Sequence, residues 1–155
     1  MPRRTRVAAG FAVFVVTFCL TATTPASAAG RGHHARGVVK RVNELRASHG
    51  LSPLRPAPSL SRGSRRWSRH LMRTDSFGHA SLSRAHRKWR TVGEVIAFKA
   101  GWHRRGAWAF RAWRNSPGHL GVLLDSRARS IGAGRTRGHY GGGRATIWTL
   151  RVGRR

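Results

Sequence analysis

Cysteine is almost absent from the sequence. The one cysteine, Cys19, lies in an apolar N-terminal run that we expect to be removed from the mature protein. The mature chain would then have no disulfide, no thiolate metal ligand and no cysteine nucleophile. Phe18 and Leu20 flank Cys19, whereas a lipidated cysteine has a small residue before it, so we expect no lipid there. Stability must therefore come from a packed core.

Carboxylates are also scarce, since the chain has 4 acidic residues: Glu44, Asp75, Glu94 and Asp125. So few carboxylates argue against a glycosidase built on a carboxylate pair. The sequence has no Gly-x-Ser-x-Gly or Ser-x-x-Lys motif that would mark a serine nucleophile. These absences favour a binding protein over an enzyme.

No apolar run is long enough for a transmembrane helix. Three arginines precede the longest run, residues 7–20, and small residues follow it up to Ala29. Its length of about 14 residues falls short of the roughly 20 that span a bilayer. This pattern predicts a cleaved signal peptide over residues 1–29, a secreted protein and no stable membrane span.

Arginine is what the sequence has in excess. Without the three arginines of the leader, 28 basic residues face 4 acidic ones, a net charge of +24. Such an excess favours polyanions, with binding that weakens steeply with salt. Because the arginines are spread evenly and the protein is secreted, we expect anionic envelope polymers or lipids as partners and no specific nucleic acid.

Hydrophobic periodicity predicts one α+β domain. Residues 30–37 form a mobile basic lead-in, and about 126 mature residues suffice for one core over residues 38–153. Ser59 and Ser116 are predicted to cap helices with their side chains. The predicted helices are 38–49, 59–72, 105–114 and 116–124, and the strands are 91–98, 130–137 and 144–152; residues 75–90 form a loop with at most one helical turn.

Three short motifs carry the functional information. They are Gly78-His79, the run Gly93-Glu94-Val95-Ile96-Ala97, and the segment from Trp113 through Ser116-Pro117-Gly118-His119. Together with Val42-Asn43-Glu44-Leu45-Arg46 they resemble, in order and spacing, the CAP superfamily of cysteine-rich secretory, antigen 5 and pathogenesis-related 1 proteins. The resemblance implies a three-layer α-β-α sandwich with a small, largely antiparallel central sheet.

The resemblance also implies a cleft lined by His79, Glu94 and His119. The family's second glutamate usually follows a tryptophan by three residues, but here Ser116 stands three residues after Trp113. Glu94 also needs partners for a physical reason, because an anion inside an apolar strand is costly unless it is paired. His119, in the first turn of a helix, is expected to be neutral because the helix dipole disfavours the imidazolium.

Three functions are consistent with these residues. The first is a secreted, monomeric, non-enzymatic binding module, extracellular or associated with the envelope, whose cleft is lined by His79, Glu94 and His119. The second is a zinc-assisted hydrolase, with His79 and His119 as metal ligands and Glu94 as candidate catalytic residue, serving as ligand or general base. The third is a polycationic binder of anionic envelope polymers or membrane surfaces.

Overall fold

The protein is described over residues 27–155 by a computed structural model. Most of the predicted signal peptide lies outside these residues. The helices are α1 (Ser27–Ser48), α2 (Pro58–Arg73), α3 (Ser83–His86), α4 (Ala107–Arg114) and α5 (Pro117–Leu123). The strands are β1 (Arg55–Pro56), β2 (Thr91–Ala100), β3 (Ser130–Tyr140) and β4 (Gly143–Arg154).

The four strands form one sheet in the order β1-β3-β4-β2. Strand β4 pairs antiparallel with both β3 and β2, and the two-residue β1 pairs parallel with β3. A tight turn at Gly141 and Gly142 joins β3 to β4, with φ of +56° and +78°, the left-handed region that glycine adopts without strain. Because β2 is last in the sheet order and pairs with β4 alone, it is an edge strand.

Helices cover both faces of the sheet. Helix α2 packs on β3 and β4, while α1 packs on β3, and α4 and α5 pack on β2. Alternation along β3 separates the two layers, because Ile131 and Ala133 join the core beneath α1 while Gly132 and Gly134 face α2. The architecture is the expected α-β-α sandwich.

The face beneath α1, α4 and α5 holds the larger core. Trp113 and Trp148 are fully buried there together with Val42, Val95 and Leu150. The guanidinium of buried Arg46 donates to the carbonyls of Leu123 (2.8 Å), Asp125 (3.0 Å) and Ser52 (3.0 Å). Arg46 thus ties α1 to the C-terminal end of α5, where a positive charge is favoured.

Where α2 crosses Gly132 and Gly134 of β3, the face beneath it is packed by small residues. Farther along the helix, Leu71 and Met72 form a smaller apolar cluster with Ile147. A Cβ added to Gly132 or Gly134 would collide with the backbone of α2, so the helix approaches β3 closely. Serine hydroxyls complete the contact, because Ser64 donates to the Gly132 carbonyl (3.0 Å) and Ser68 to Thr149 Oγ1 (2.9 Å). This close approach sets the position of α2 beside the candidate site.

The structure corrects two predicted helix starts and one predicted capping hydrogen bond. Helix α1 begins at Ser27, not Val38, because a packed helix extends at little cost once it is nucleated; that residues 30–37 are mobile stays a prediction. Helix α2 begins at Pro58 after Ala57, so Ser59 is not its cap, and proline suits a first helical position. Ser116 does precede α5, but its side chain makes no capping hydrogen bond.

Candidate functional site

Glu94 is a buried carboxylate near the middle of β2. It lies directly opposite Arg151 of β4 in the antiparallel register. Arg151 donates to Glu94 Oε2 from Nε at 2.8 Å, and its Nη2 lies 2.7 Å from the same oxygen. The side chain of Glu94 is 2% exposed and that of Arg151 is 12% exposed. The cross-strand neighbour thus supplies the positive charge that a buried anion requires.

Gly63 of α2 makes room for this arginine. A Cβ at Gly63 would lie 2.6 Å from Arg151 Nη1, closer than any side-chain carbon can sit. The helix therefore passes over the guanidinium at a position that has no side chain. The close packing of α2 and the pairing of Glu94 are parts of one arrangement.

The other carboxylate oxygen holds the loop that carries His79. Glu94 Oε1 accepts a hydrogen bond from the Ala80 backbone N–H at 2.9 Å and lies 3.2 Å from His79 Nδ1. The Trp67 indole of α2 donates to the Gly78 carbonyl at 3.0 Å and fixes the preceding residue. Because a carboxylate only accepts, Nδ1 is the donor in the contact with Glu94.

His119 faces His79 from the first turn of α5. The two ring centroids lie 5.9 Å apart. Partial burial and, secondarily, the neighbouring His79 lower the pKa of His119 from its ordinary value of 6.5. Burial is thus the main reason for the lowered pKa of His119, whereas the sequence analysis expected the helix dipole to disfavour its imidazolium.

The three residues meet at the outer edge of β2. His79 comes from the segment after α2 and His119 from α5, so the two helical layers close around the edge strand. His79 contacts both Glu94 and His119 and is the centre of the cluster. The side chain of His79 is 53% exposed, which leaves the cluster open to a ligand.

Comparison with known proteins identifies the fold family. The model of the cysteine-rich secretory protein family, CAP, matches residues 39–152. The chain belongs to the CAP family. The match spans α1 to β4 and contains all three cluster residues, so the resemblance seen in the sequence is confirmed. No curated protein matches the sequence.

Solved structures share the CAP fold at low sequence identity. An extracellular protein containing an SCP domain from Bacillus anthracis matches with TM-score 0.66 and 22% identity, over 81% of this chain and 41% of that one. An outer surface protein from Borrelia burgdorferi matches with TM-score 0.62 and 21% identity, over 76% of this chain and 90% of that one. A cysteine-rich secretory protein from Staphylococcus aureus matches with TM-score 0.61 and 18% identity, over 81% of this chain and 40% of that one. This chain thus spans about two fifths of the first and third proteins.

The geometry of this CAP domain does not fit zinc held by all three cluster residues. Both oxygens of Glu94 are engaged by Arg151, Ala80 and His79, so the carboxylate has no free position for a metal. Among the side chains that the structure describes, those of residues 35–83 and 85–155, no three of His, Cys, Asp or Glu converge as metal ligands. His79 and His119 alone remain as candidate donors, fewer than the three protein ligands of catalytic zinc sites.

Sequence reasoning missed Arg151. The predicted alternation of β4 runs through Thr146, Trp148, Leu150 and Val152 and leaves Arg151 on the other face without a role. An arginine inside a buried strand is as unusual as a glutamate there, and that signal was available. The pairing itself depends on β2 lying next to β4, which the order of the strands along the chain does not reveal.

No helix of the described part of the chain is both long and apolar enough to cross a membrane.

Proposed function

We propose that this CAP domain is a secreted, non-enzymatic binding module that associates with anionic polymers of the cell envelope, such as teichoic acids. One observation carries the proposal. A cleft of about 470 Å³ lies between α2 and residues 80–89, beside the Glu94 and Arg151 pair, and no carboxylate lines it. Its walls hold four cationic side chains, Arg62, Arg66, Lys88 and Arg151.

The cleft has the chemistry that a polyanion requires. Arginine guanidiniums bind phosphate oxygens through charge-assisted hydrogen bonds. Trp67 and Trp89 add apolar walls, against which the carbon skeleton of a polyol or sugar can pack. Since Arg151 already neutralises Glu94, the other three cations in the cleft have no carboxylate in its lining to compete with a ligand.

The secreted location rests on two supports. The leader predicted for residues 1–29 is typical of exported proteins. Similar folds occur in a protein described as extracellular from Bacillus anthracis and in an outer surface protein from Borrelia burgdorferi.

Glu94 is poorly suited to act as a general base. A base must accept a proton from substrate, but Arg151 and the Ala80 N–H occupy its two oxygens. The zinc-assisted hydrolase indicated by the sequence would have to act with His79 and His119 alone. We therefore expect at most one weakly bound zinc. Calorimetry should show weaker binding for His119→Ala, and tight zinc binding that depends on both histidines would favour the hydrolase.

The test of the proposed function is retention on immobilised teichoic acid over a range of salt. Retention should fall steeply with salt. Arg62→Gln/Arg66→Gln should weaken it by more than about tenfold, because charge-assisted hydrogen bonds are lost. Arg137→Gln/Arg144→Gln removes the same charge far from the cleft and should have less than about a threefold effect.

Equal losses in the two double variants would mean that total charge, and not the cleft, holds the polymer. Retention that persists at high salt and disappears in His79→Ala or Glu94→Gln would assign the binding to the histidine cluster instead. No retention of the wild-type protein at low salt would overturn the proposal.

A further inference from the structure

Three large apolar side chains are exposed at one end of the molecule. Phe77, Phe98 and Trp102 are 47%, 41% and 51% exposed, whereas Trp113 and Trp148 are fully buried. Phe98 lies near the end of β2, Trp102 follows that strand, and Phe77 precedes the His79 loop. We call this region, together with the turn that joins β3 to β4, the hairpin end.

On the α2 face of the hairpin end, the aromatic rings form a continuous row. The ring of Phe77 meets that of Phe98 edge to face at 6.1 Å, and Phe98 lies 5.0 Å from Tyr140, both between centroids. Phe98 lies four residues after Glu94 on β2, and side chains alternate between faces along a strand, so both lie on the face beneath α2. The row therefore extends outward from the histidine cluster.

Trp102 lies on the opposite face. Its indole donates to the Gly138 carbonyl, and the Arg144 guanidinium carbon sits 4.7 Å from the ring centroid. Arg144 lies four residues before Trp148 on β4 and so shares its face, the one that carries the core beneath α1 and α4. The Arg137 guanidinium lies 6.0 Å from the same ring. Exposed aromatic rings thus flank the hairpin end on both faces.

Positive charge surrounds these rings. Besides Arg137 and Arg144, Lys99 and Arg104 line a cavity that Trp102 also borders. The nearby carboxylate, Asp75, accepts a hydrogen bond from the Gly141 N–H at 3.0 Å and so holds the turn. The hairpin end combines apolar tips with an excess of cations, and this combination favours a surface that is both apolar and anionic.

We propose that the hairpin end docks onto anionic lipid bilayers. Tryptophan and other amphipathic side chains settle at the level of the lipid headgroups, and arginines nearby are attracted to anionic ones. A lipid surface can adapt to a region that carries rings on both faces, whereas a protein partner would need a matching groove. This inference rests on the proposed secreted location and adds a second partner at a separate surface.

The experiment compares co-sedimentation of the full protein with vesicles of phosphatidylcholine alone and of phosphatidylcholine with phosphatidylglycerol. Binding should require phosphatidylglycerol. Phe98→Ser/Trp102→Ser should weaken it by about tenfold or more, since both apolar anchors are lost. Arg137→Gln/Arg144→Gln should cost on the order of tenfold, and the matched pair Arg62→Gln/Arg66→Gln less than about threefold.

Thermal unfolding of each variant shows whether it is folded, and Trp102→Ser alone serves as the milder variant if the double variant is not. Unchanged vesicle binding in a folded aromatic variant would overturn the inference, as would equal losses in the two arginine pairs. Aromatic-dependent binding to an uncharged polysaccharide, without binding to vesicles, would replace lipid by sugar. If vesicle binding fails while teichoic acid retention persists, only this inference falls; the loss of both would refute the proposed function.

Discussion

The two faces of the sheet are packed by different chemistry. Beneath α1, α4 and α5, large apolar side chains such as Trp113 and Trp148 fill the space between helix and sheet. Beneath α2, glycines and hydroxyls let the helix backbone rest almost directly on β3. The first face stabilises mainly by burial of apolar area. The second buries a smaller apolar cluster around Leu71 and Ile147 and also requires shape and hydrogen bonds to match.

This difference explains where the candidate site lies. A helix held as closely as α2 can bring Gly63 over Arg151 and Trp67 against the His79 loop. The apolar face supplies the anchor for α5, which presents His119. The site forms at the edge of β2, where the two kinds of packing meet.

Removing a large side chain from the apolar face should have the largest effect. Trp113 is fully buried, and its indole donates to the Ile96 carbonyl at 2.8 Å. We expect Trp113→Ala to lower the free energy of unfolding by about 3–5 kcal/mol, measured by urea denaturation. Trp113→Phe, which keeps most of the volume, should cost less. A loss below about 1 kcal/mol for alanine would contradict the packing of this face.

On the α2 face, adding a single carbon should be damaging. Gly134→Ala places a Cβ against the backbone of Arg65, so we expect a loss of about 3 kcal/mol in unfolding free energy. Gly121→Ala in α5 is the matched control, because nothing lies within 4 Å of its Cβ. The control should be neutral or stabilising by up to about 1 kcal/mol. Similar results for both would show that α2 is not so close.

The hydroxyl pair on the α2 face should contribute less. Ser68→Ala leaves buried Thr149 without its partner and should cost about 1–2 kcal/mol in thermal or urea unfolding. Ser48→Ala, at an exposed position at the end of α1, should change the stability by less than about 0.5 kcal/mol. Restoration by Thr149→Val in the Ser68→Ala background would show that the cost comes from the unpaired hydroxyl.

The edge of β2, where the faces meet, should make stability depend weakly on pH through His119. Its folded-state pKa is lowered, so just below pH 6.5 the unfolded chain binds the proton more readily than the folded one. The contribution of neutral His119 to the free energy of unfolding should therefore be fully present above pH 6.5. It should be lost as the pH drops through that value towards the folded-state pKa. His119→Gln should flatten this part of the unfolding free energy profile. An unchanged profile would show that another group titrates there.

The sequence was sufficient to predict most of the elements, but not β1, and to name the three residues that meet at the edge of β2. Strand β2, helix α4 and the β3–β4 hairpin lie within a few residues of their predicted bounds, because periodicity and glycines mark them strongly. His79, Glu94 and His119 were found through motifs. Arg151, Gly63 and Trp67 were not, because their roles follow from which strands adjoin and how closely α2 approaches, and both depend on tertiary packing.

The central claim is that Arg151 holds the carboxylate of Glu94, so that this carboxylate is not available as a free base. The most direct test is a double-mutant cycle with Glu94→Gln, Arg151→Met and the double variant, measured by urea unfolding. Since both side chains are largely buried, we predict a coupling of about 2 kcal/mol, with the double variant more stable than the two single losses imply. A coupling below about 0.5 kcal/mol would mean that the carboxylate is not held by Arg151 and is available for chemistry.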